Sequence, residues 1–114
     1  SLLLFSYIYF MIFYNFKRRV FIIKDSGLLI QDKLFWNNHS KFIPSKKMVL
    51  FRQTKWIHYN CDNDASDIYN IALKIIDEEI DTNLLSECAN RKHSDWFGRL
   101  LSNYYNIPFD QVVN

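Results

Sequence analysis

The chain opens with an unbroken apolar run, SLLLFSYIYFMIFYNF, which carries no charge and is followed at once by Lys17, Arg18 and Arg19. Residues 2–16 would span about 22 Å as an α-helix, which is shorter than the roughly 30 Å hydrocarbon core of a bilayer. The pattern predicts an apolar helix with a basic flank over residues 1–19, as in a short membrane anchor. The alternative is a buried helix or a long buried strand, because aromatic and β-branched residues also favour strands.

The order of the charges sets the orientation of such an anchor. Basic residues after the apolar segment predict that the C-terminal part stays on the cytoplasmic or matrix side. A cleaved signal peptide has the opposite order, with its basic residues first. In the anchored interpretation, Lys17, Arg18 and Arg19 contact anionic lipid headgroups. The expected location is therefore a membrane, and the mitochondrial inner membrane is one candidate.

From Val20 onwards, short apolar runs alternate with turn residues. VFIIKDSGLLIQDKLFW predicts a β-hairpin around a three-residue loop that ends at Gly27, where glycine takes a positive φ. NNHSKFIPSKK predicts a polar connection, because Pro44 cannot lie in the centre of a sheet. MVLFR and KWIHYN predict two further strands, joined as a hairpin around Gln53 and Thr54.

The second half of the chain shows helical spacing. A first helix is predicted because six apolar residues share one helical face: Ile68, Ile71, Ala72, Ile75, Ile76 and Ile80. A second helix is predicted to begin at Thr82, whose hydroxyl caps it, and to bury three residues: Leu84, Leu85 and Cys88. A third is predicted from Ser94 to Tyr105, with Pro108 just beyond its end.

These elements together predict an α+β fold, with an N-terminal apolar helix, a small antiparallel sheet of about four strands, and two or three C-terminal helices. The predicted organisation is a candidate anchor over 1–19 and one small α+β domain over 20–114, because 114 residues leave no room for two separate cores. An apolar helix, a basic triplet, strands and then helices form an order that resembles membrane-anchored pleckstrin-homology-like domains of bacteria.

Composition narrows the function classes further. With 14 basic and 12 acidic residues, the chain has no electrostatic footprint for nucleic acid. A group of basic and aromatic residues is therefore interpreted as a solvated sheet face: Lys46, Lys47, Arg52, Lys55 and Trp56. Ten Phe and seven Tyr against two Gly and two Pro are typical of an AT-rich genome, such as that of an organelle or a virus. Two cysteines are too few for a disulfide framework.

The stretch WIHYNCDNDASDIYN, residues 56–70, concentrates the candidate chemistry. Asp62, Asp64 and Ser66 are spaced as in phosphatases with an aspartate nucleophile, but the parallel sheet that those enzymes need is not predicted. A calcium loop fails because Asp67 stands where glycine is required and Leu73 where a bidentate glutamate is required. The predicted role of the stretch is helix initiation, with Asp64 or Ser66 as the N-cap.

Zinc is a further hypothesis for the same region. His58 and Cys61 form one closely spaced pair of ligands, and Cys88 and His93 form a second. Two nitrogen and two sulfur ligands suit a tetrahedral structural site. The alternative is chance spacing in a chain that has three histidines and two cysteines. We therefore assign no metal, cofactor or catalytic site.

An enzyme is not expected, because the chain has only two glycines, Gly27 and Gly98, and no nucleophile motif or phosphate loop. The sequence predicts a non-catalytic accessory or scaffolding subunit of a larger membrane-associated complex, whose partners are other protein subunits and membrane lipid. The alternative is a soluble α+β protein-binding module, such as a toxin-immunity or phage protein. In that alternative the N-terminal run pairs into the sheet as part of the core.

Overall fold

A computed structural model describes residues 7–14, 17–34, 37–59, 65–86, 88 and 90–113. Contacts between Cα atoms group the chain into two compact units, Ser1–Lys47 and Met48–Asn114. Each unit contains one four-stranded sheet. In the described part of the chain, the strands far outnumber the helices, and the single α-helix lies near the C-terminus.

The sheet of the first unit is an antiparallel meander in the order β1-β2-β3-β4. Its strands are β1 (Tyr7–Tyr14), β2 (Lys17–Lys24), β3 (Gly27–Leu34) and β4 (Asn37–Pro44). A short 3-10 turn, Ser45–Lys47, follows β4. Each strand therefore pairs with its neighbour in the chain, which needs only short connections.

The apolar residues of this unit alternate along the strands. Phe21 pairs with Ile30, and Leu28 lies between Ile23 and Ile43 in the strand register. Residues that pair directly across antiparallel strands share a face of the sheet. One face therefore carries five buried apolar side chains: Phe21, Ile23, Leu28, Ile30 and Ile43.

The β2–β3 hairpin is confirmed, but its turn is tighter than predicted. Lys24 pairs with Gly27, so the loop has two residues rather than three. Gly27 has a φ of 158°, and a Cβ built on it would lie 2.3 Å from the carbonyl oxygen of Ile43. Glycine is therefore required here by the close approach of strand β4.

The second unit contains β5 (Met48–Tyr59), β6 (Ala65–Ile75), β7 (Thr82–Leu85), α1 (Arg91–Tyr105) and β8 (Phe109–Asp110). The sheet order is β7-β6-β5-β8, and the two-residue strand β8 runs parallel to β5. Helix α1 packs against β5, β6 and β8.

The core of this unit lies between α1 and one face of its sheet. The helix turns four buried residues inward: Ser94, Phe97, Gly98 and Leu101. Their spacing of three and four positions is that of a single helical stripe. The sheet contributes alternating buried residues from two paired strands: Phe51 and Gln53 of β5, and Tyr69, Ile71, Leu73 and Ile75 of β6.

The predicted N-terminal helix is wrong for the residues that the structure describes there. Tyr7–Tyr14 is strand β1 and pairs with β2 along its whole length, while residues 1–6 lie outside the described part. Within the described part of the chain, no helix combines the length and the apolar character needed to cross a membrane. Strand formation agrees with the alternative interpretation, because aromatic and β-branched side chains suit a pleated sheet.

The predicted connection around Pro44 is also wrong. Asn37–Pro44 is the edge strand β4, and Pro44 is its last residue, where the missing amide interrupts no central ladder. The predicted hairpin at Gln53 and Thr54 is a single strand of 12 residues, β5. Buried polar contacts of Gln53, described below, keep this residue inside the strand.

The predicted α+β fold is wrong in its helices as well. The first predicted helix is strand β6 as far as Ile75, and the second corresponds to strand β7. Only the third is confirmed, and it begins three residues earlier than predicted, at Arg91. Asn90 caps its N-terminus and Asn106 ends it in the left-handed conformation, and neither cap was predicted. Pro108 lies beyond its end, which was predicted.

Candidate protein-binding surface

Strands β5 and β6 continue past the rest of their sheet as a two-stranded ribbon. Strand β8 pairs with β5 only at Phe51 and Arg52, and β7 pairs with β6 only between Ile71 and Leu73. Residues 56–59 and 65–68 pair with each other in antiparallel register. We call these eight residues the β5–β6 ribbon.

Large apolar side chains are exposed on the ribbon. Trp56 is 62% exposed, Ile57 is 58% exposed and Tyr59 is 64% exposed. Because successive side chains of a strand point to opposite faces, Trp56 lies on one face and the other two lie on the opposite face. The last five residues of β5 are all exposed, so neither face of the ribbon is covered by the described chain.

Buried polar contacts of Gln53 fix the β5 side of the ribbon's base. Gln53 is only 4% exposed, and its Nε2 donates to Ser94 Oγ at 2.9 Å and to Asp95 Oδ1 at 2.8 Å. Its Oε1 accepts from the backbone amide of Val112 at 3.0 Å. One side chain therefore joins β5, helix α1 and the C-terminal segment directly before the ribbon begins.

The β6 side of the base is fixed by Tyr69. Its backbone amide donates to the carbonyl oxygen of Cys88 at 2.9 Å. The Arg91 guanidinium lies 5.3 Å from the centroid of the Tyr69 ring, within cation–π range. Arg91 Nη2 also donates to the carbonyl oxygen of Val112 at 2.6 Å. The ribbon thus projects from a base that is held on both strands.

Charge contributes little on the ribbon. Lys55, at its base, lies 3.7 Å from Asp67 through Nζ and Oδ2, and both side chains are well exposed. Exposed ion pairs of this kind stabilise by at most about 1 kcal/mol. The chemical character of the ribbon is therefore set by its indole, phenol and isoleucine side chains.

The described residues of the zinc hypothesis lie in different segments of the second unit. His58 is exposed and pairs with Ser66 in the ribbon, and His93 lies in the first turn of α1. Cys88 has a free thiol that donates to the carbonyl oxygen of Asn90 at 3.2 Å. Among the described residues, no group of three or more His, Cys, Asp or Glu could hold a metal ion. Cys61 lies outside the described residues, so zinc binding by the four residues stays a hypothesis.

The predicted helix initiation in the acidic stretch is wrong. Ser66 and Asp67 lie within strand β6, where they pair with His58 and Ile57. Asp62 and Asp64 lie outside the described residues. Ser66 and Asp67 are therefore surface residues of the ribbon rather than the first turn of a helix.

The basic triplet lies in strand β2 rather than after a helix. Arg19 forms a two-pronged pair with Asp32 on β3, with Nε 2.6 Å from Oδ1 and Nη2 2.9 Å from Oδ2. Arg18 lies directly opposite Lys33. Arg19 is thus occupied within the sheet, while the lipid contact predicted for Lys17, Arg18 and Arg19 stays a prediction.

The other basic residues belong to different elements. Arg52 Nη1 donates to Asp81 Oδ2 at 3.0 Å, while Lys46 and Lys47 belong to the 3-10 turn. Trp56 was predicted only as part of a solvated sheet face beside these bases, and no role was predicted for the exposed side chains of Ile57 and Tyr59. The available signal was the string WIHY, residues 56–59. In a strand it places large apolar or aromatic side chains on both faces of the sheet.

Within the described residues, these features define a mainly β class of protein, with one antiparallel meander sheet, one mixed sheet, one α-helix near the C-terminus and an exposed apolar ribbon. Comparison with protein-family models, with curated proteins and with solved structures finds no match for this chain. The resemblance in element order to pleckstrin-homology-like domains is wrong, because strands replace the N-terminal apolar helix and two of the predicted C-terminal helices. The ribbon is therefore the feature that indicates a function.

Proposed function

We propose that the chain is a non-catalytic protein-binding module and that its partner covers the β5–β6 ribbon. The observation that carries this proposal is the exposure of Trp56, Ile57 and Tyr59, each above half, on the two faces of one ribbon. Tryptophan and tyrosine are enriched among the residues that dominate binding energy at protein interfaces. Large apolar side chains exposed together on one element are typical of an interaction site.

The form of the ribbon indicates how a partner binds it. An isolated two-stranded ribbon is only marginally stable in water, so a covering partner also orders it. In residues 56–59 and 65–68, the outer edge of each strand pairs with no other described strand. A protein partner can therefore add a strand at an edge and receive the alternating side chains in apolar pockets.

The predicted membrane location stays a prediction, but strand β1 replaces the helix on which that prediction depended. The proposal accordingly concerns the protein partner alone. It keeps the accessory, non-catalytic role that the sequence predicts and assigns the binding to the ribbon.

The test replaces all three exposed side chains with threonine, which keeps strand propensity: Trp56→Thr, Ile57→Thr and Tyr59→Thr. We expect the triple variant to lose the proteins that the wild-type chain retains from an extract of its native source. Unfolding free energy should change by no more than about 1 kcal/mol, because the replaced side chains are exposed. The matched control, Ile76→Thr with Ile80→Thr and Val113→Thr, also removes three exposed apolar side chains and should retain the same proteins.

The proposal is overturned if the ribbon variant, still folded by circular dichroism, retains the same proteins as the wild type. It is also overturned if both triple variants lose the retained proteins equally, since that result indicates nonspecific hydrophobic binding. Sedimentation of the purified chain measures its oligomeric state and tests whether the chain binds itself. A dimer that dissociates in the ribbon variant would show that the partner is a second copy of this chain.

A further inference from the structure

Helix α1 has a second face, turned away from its sheet, that the ribbon proposal does not use. The buried side of the helix is formed by residues 94, 97, 98 and 101. An open groove of about 370 Å³ lies along the other side and is lined by six residues: Lys92, Asp95, Trp96, Arg99, Leu100 and Asn103. Their spacing along the helix places them in one continuous stripe.

The charges of this stripe are unbalanced. Asp95 is the single acidic residue between Arg91 and Tyr105. Its Oδ1 accepts from Gln53, and its Oδ2 lies 3.6 Å from Arg91 Nε, so the carboxylate is already engaged inside the unit. Lys92 and Arg99 are exposed. Arg99 makes one long hydrogen bond, 3.4 Å from Nη2 to the neutral Gln111 Oε1.

Lys92 occupies a position that is unfavourable for the helix itself. It lies in the first turn, where the helix dipole is positive and a cation destabilises. The backbone amides of Lys92 and His93 in this turn do not form an anion site. Both already donate to Asn90 Oδ1, at 3.0 and 3.3 Å. The charge of Lys92 therefore stabilises neither the helix nor its N-cap. An anionic group of a binding partner would compensate this charge.

Apolar surface separates the two cations. Trp96 is 50% exposed, and Leu100 is half-buried beside it. Lys92 and Arg99 are seven residues apart, which is about 10 Å along a helix axis. A complementary ligand therefore has an apolar centre and a carboxylate on each side, about 10 Å apart, which three residues of extended chain can span.

We propose that this face of α1 binds an acidic segment of a protein, with its carboxylates at Lys92 and Arg99 and its apolar centre on Trp96 and Leu100. This surface is additional to the ribbon and shares no residue with it. An anionic membrane is the less suitable occupant, because recognition of anionic lipid headgroups typically uses clusters of four to eight basic residues. Here only two cations flank an open groove.

The experiment is a titration of the ¹⁵N-labelled full chain with the synthetic peptide Glu-Glu-Leu-Phe-Glu-Glu, followed by amide chemical shifts and the dissociation constant. We expect shifts confined to residues 92–103 and weakening of about tenfold or more in the double variant Lys92→Glu, Arg99→Glu. The matched control, Lys46→Glu with Lys47→Glu, changes the net charge equally in another exposed segment and should leave binding within about twofold.

Three results with the peptide would overturn the proposal. The first is the absence of binding by the wild-type chain, and the second is equal loss in the two charge variants, which indicates unspecific attraction. The third is equal binding of the peptide in which glutamine replaces glutamate. Vesicles with and without phosphatidylserine form a separate arm, and tighter binding to anionic vesicles than to the peptide identifies a membrane contact instead. The ribbon variant should bind the peptide normally, so failure of either proposal can be recognised separately.

Discussion

Gln53 shows at the scale of one residue why the sequence misplaced a turn. A polar pair, Gln53 and Thr54, between two apolar runs is a common turn signal. In the structure Gln53 lies on the covered face of β5, and both its amide nitrogen and its amide oxygen are hydrogen-bonded. A buried polar group is tolerated when its partners are present, and those partners lie 41 to 59 residues away in the chain. Local pattern contains no information about such distant partners.

Replacing Gln53 with methionine tests the contribution of these contacts. Gln53→Met keeps the volume of the side chain but leaves Ser94 Oγ, Asp95 Oδ1 and the Val112 amide without this partner. We expect a loss of about 2–3 kcal/mol in unfolding free energy, because buried polar groups that lose their partner destabilise. Chemical denaturation measures it, and Thr54→Val is the control at the neighbouring, partly exposed position. A loss no larger than that of the control would contradict the role assigned to Gln53.

The Arg18–Lys33 pair allows a second test at residue scale. These two cations lie directly opposite each other on β2 and β3, and like charges in that position destabilise a sheet. Arg18 Nε is buried, and the structure gives it no hydrogen-bond partner among the described residues. We expect Lys33→Glu to raise the unfolding free energy by about 0.2–1 kcal/mol and Lys33→Gln to raise it less. Thermal unfolding of both variants measures these changes. A Lys33→Glu variant that is less stable than the wild type would contradict the prediction.

At the scale of elements, β6 is the most informative error. The segment fits a helix through Ile68, Ile71, Ala72 and Ile75, but it fits a strand equally well through four alternating residues: Tyr69, Ile71, Leu73 and Ile75. The structure buries the alternating set, which packs under α1. β6 pairs with β5 along its whole length, and this pairing selects the strand over the helix. That pairing is a tertiary contact, so periodicity alone could not resolve it.

The β2–β3 turn gives a prediction for a whole hairpin. A methyl group on residue 27 would lie 2.3 Å from the carbonyl oxygen of Ile43, so Gly27→Ala must push β3 and β4 apart. We expect a loss of about 1–3 kcal/mol, which is typical of forced overpacking. The neighbouring Ser26→Ala is the control, since Ser26 is exposed and should change stability by about 0.5 kcal/mol or less. Equal midpoints of urea denaturation for the two variants would contradict this close approach.

In helix α1 a substitution is expected to raise the unfolding free energy, in contrast to Gly27→Ala. Lys92→Glu replaces a cation by an anion in the first turn, where the helix dipole favours negative charge. We expect an increase of about 0.3–1 kcal/mol in unfolding free energy at low salt. The gain should shrink in about 1 M salt, where exposed charges are screened. A variant that is more stable yet no longer binds the acidic peptide would separate the binding role of Lys92 from folding. Destabilisation at low salt would contradict the argument from the dipole.

At the scale of the whole molecule, prediction succeeded where a local signal was sufficient. The glycine turn fixed the β2–β3 hairpin, and the apolar stripe with Pro108 beyond it fixed α1. The N-terminal run failed because an uncharged aromatic segment can form a helix or a strand, and β2 supplied the pairing partner. The string WIHY indicates the large side chains of the ribbon, but their exposure could not be predicted, since it depends on where β7 and β8 stop pairing.

The most direct test of the binding account is amide hydrogen exchange, measured on the chain alone and in complex with the partner that it retains. In the chain alone, amides of residues 56–59 and 65–68 should exchange faster than those of β5 and β6 under α1, because two strands without further cover open easily. On binding, the account requires the largest gain in protection within these eight residues. Protection that leaves the ribbon unchanged and appears elsewhere in the chain would contradict it.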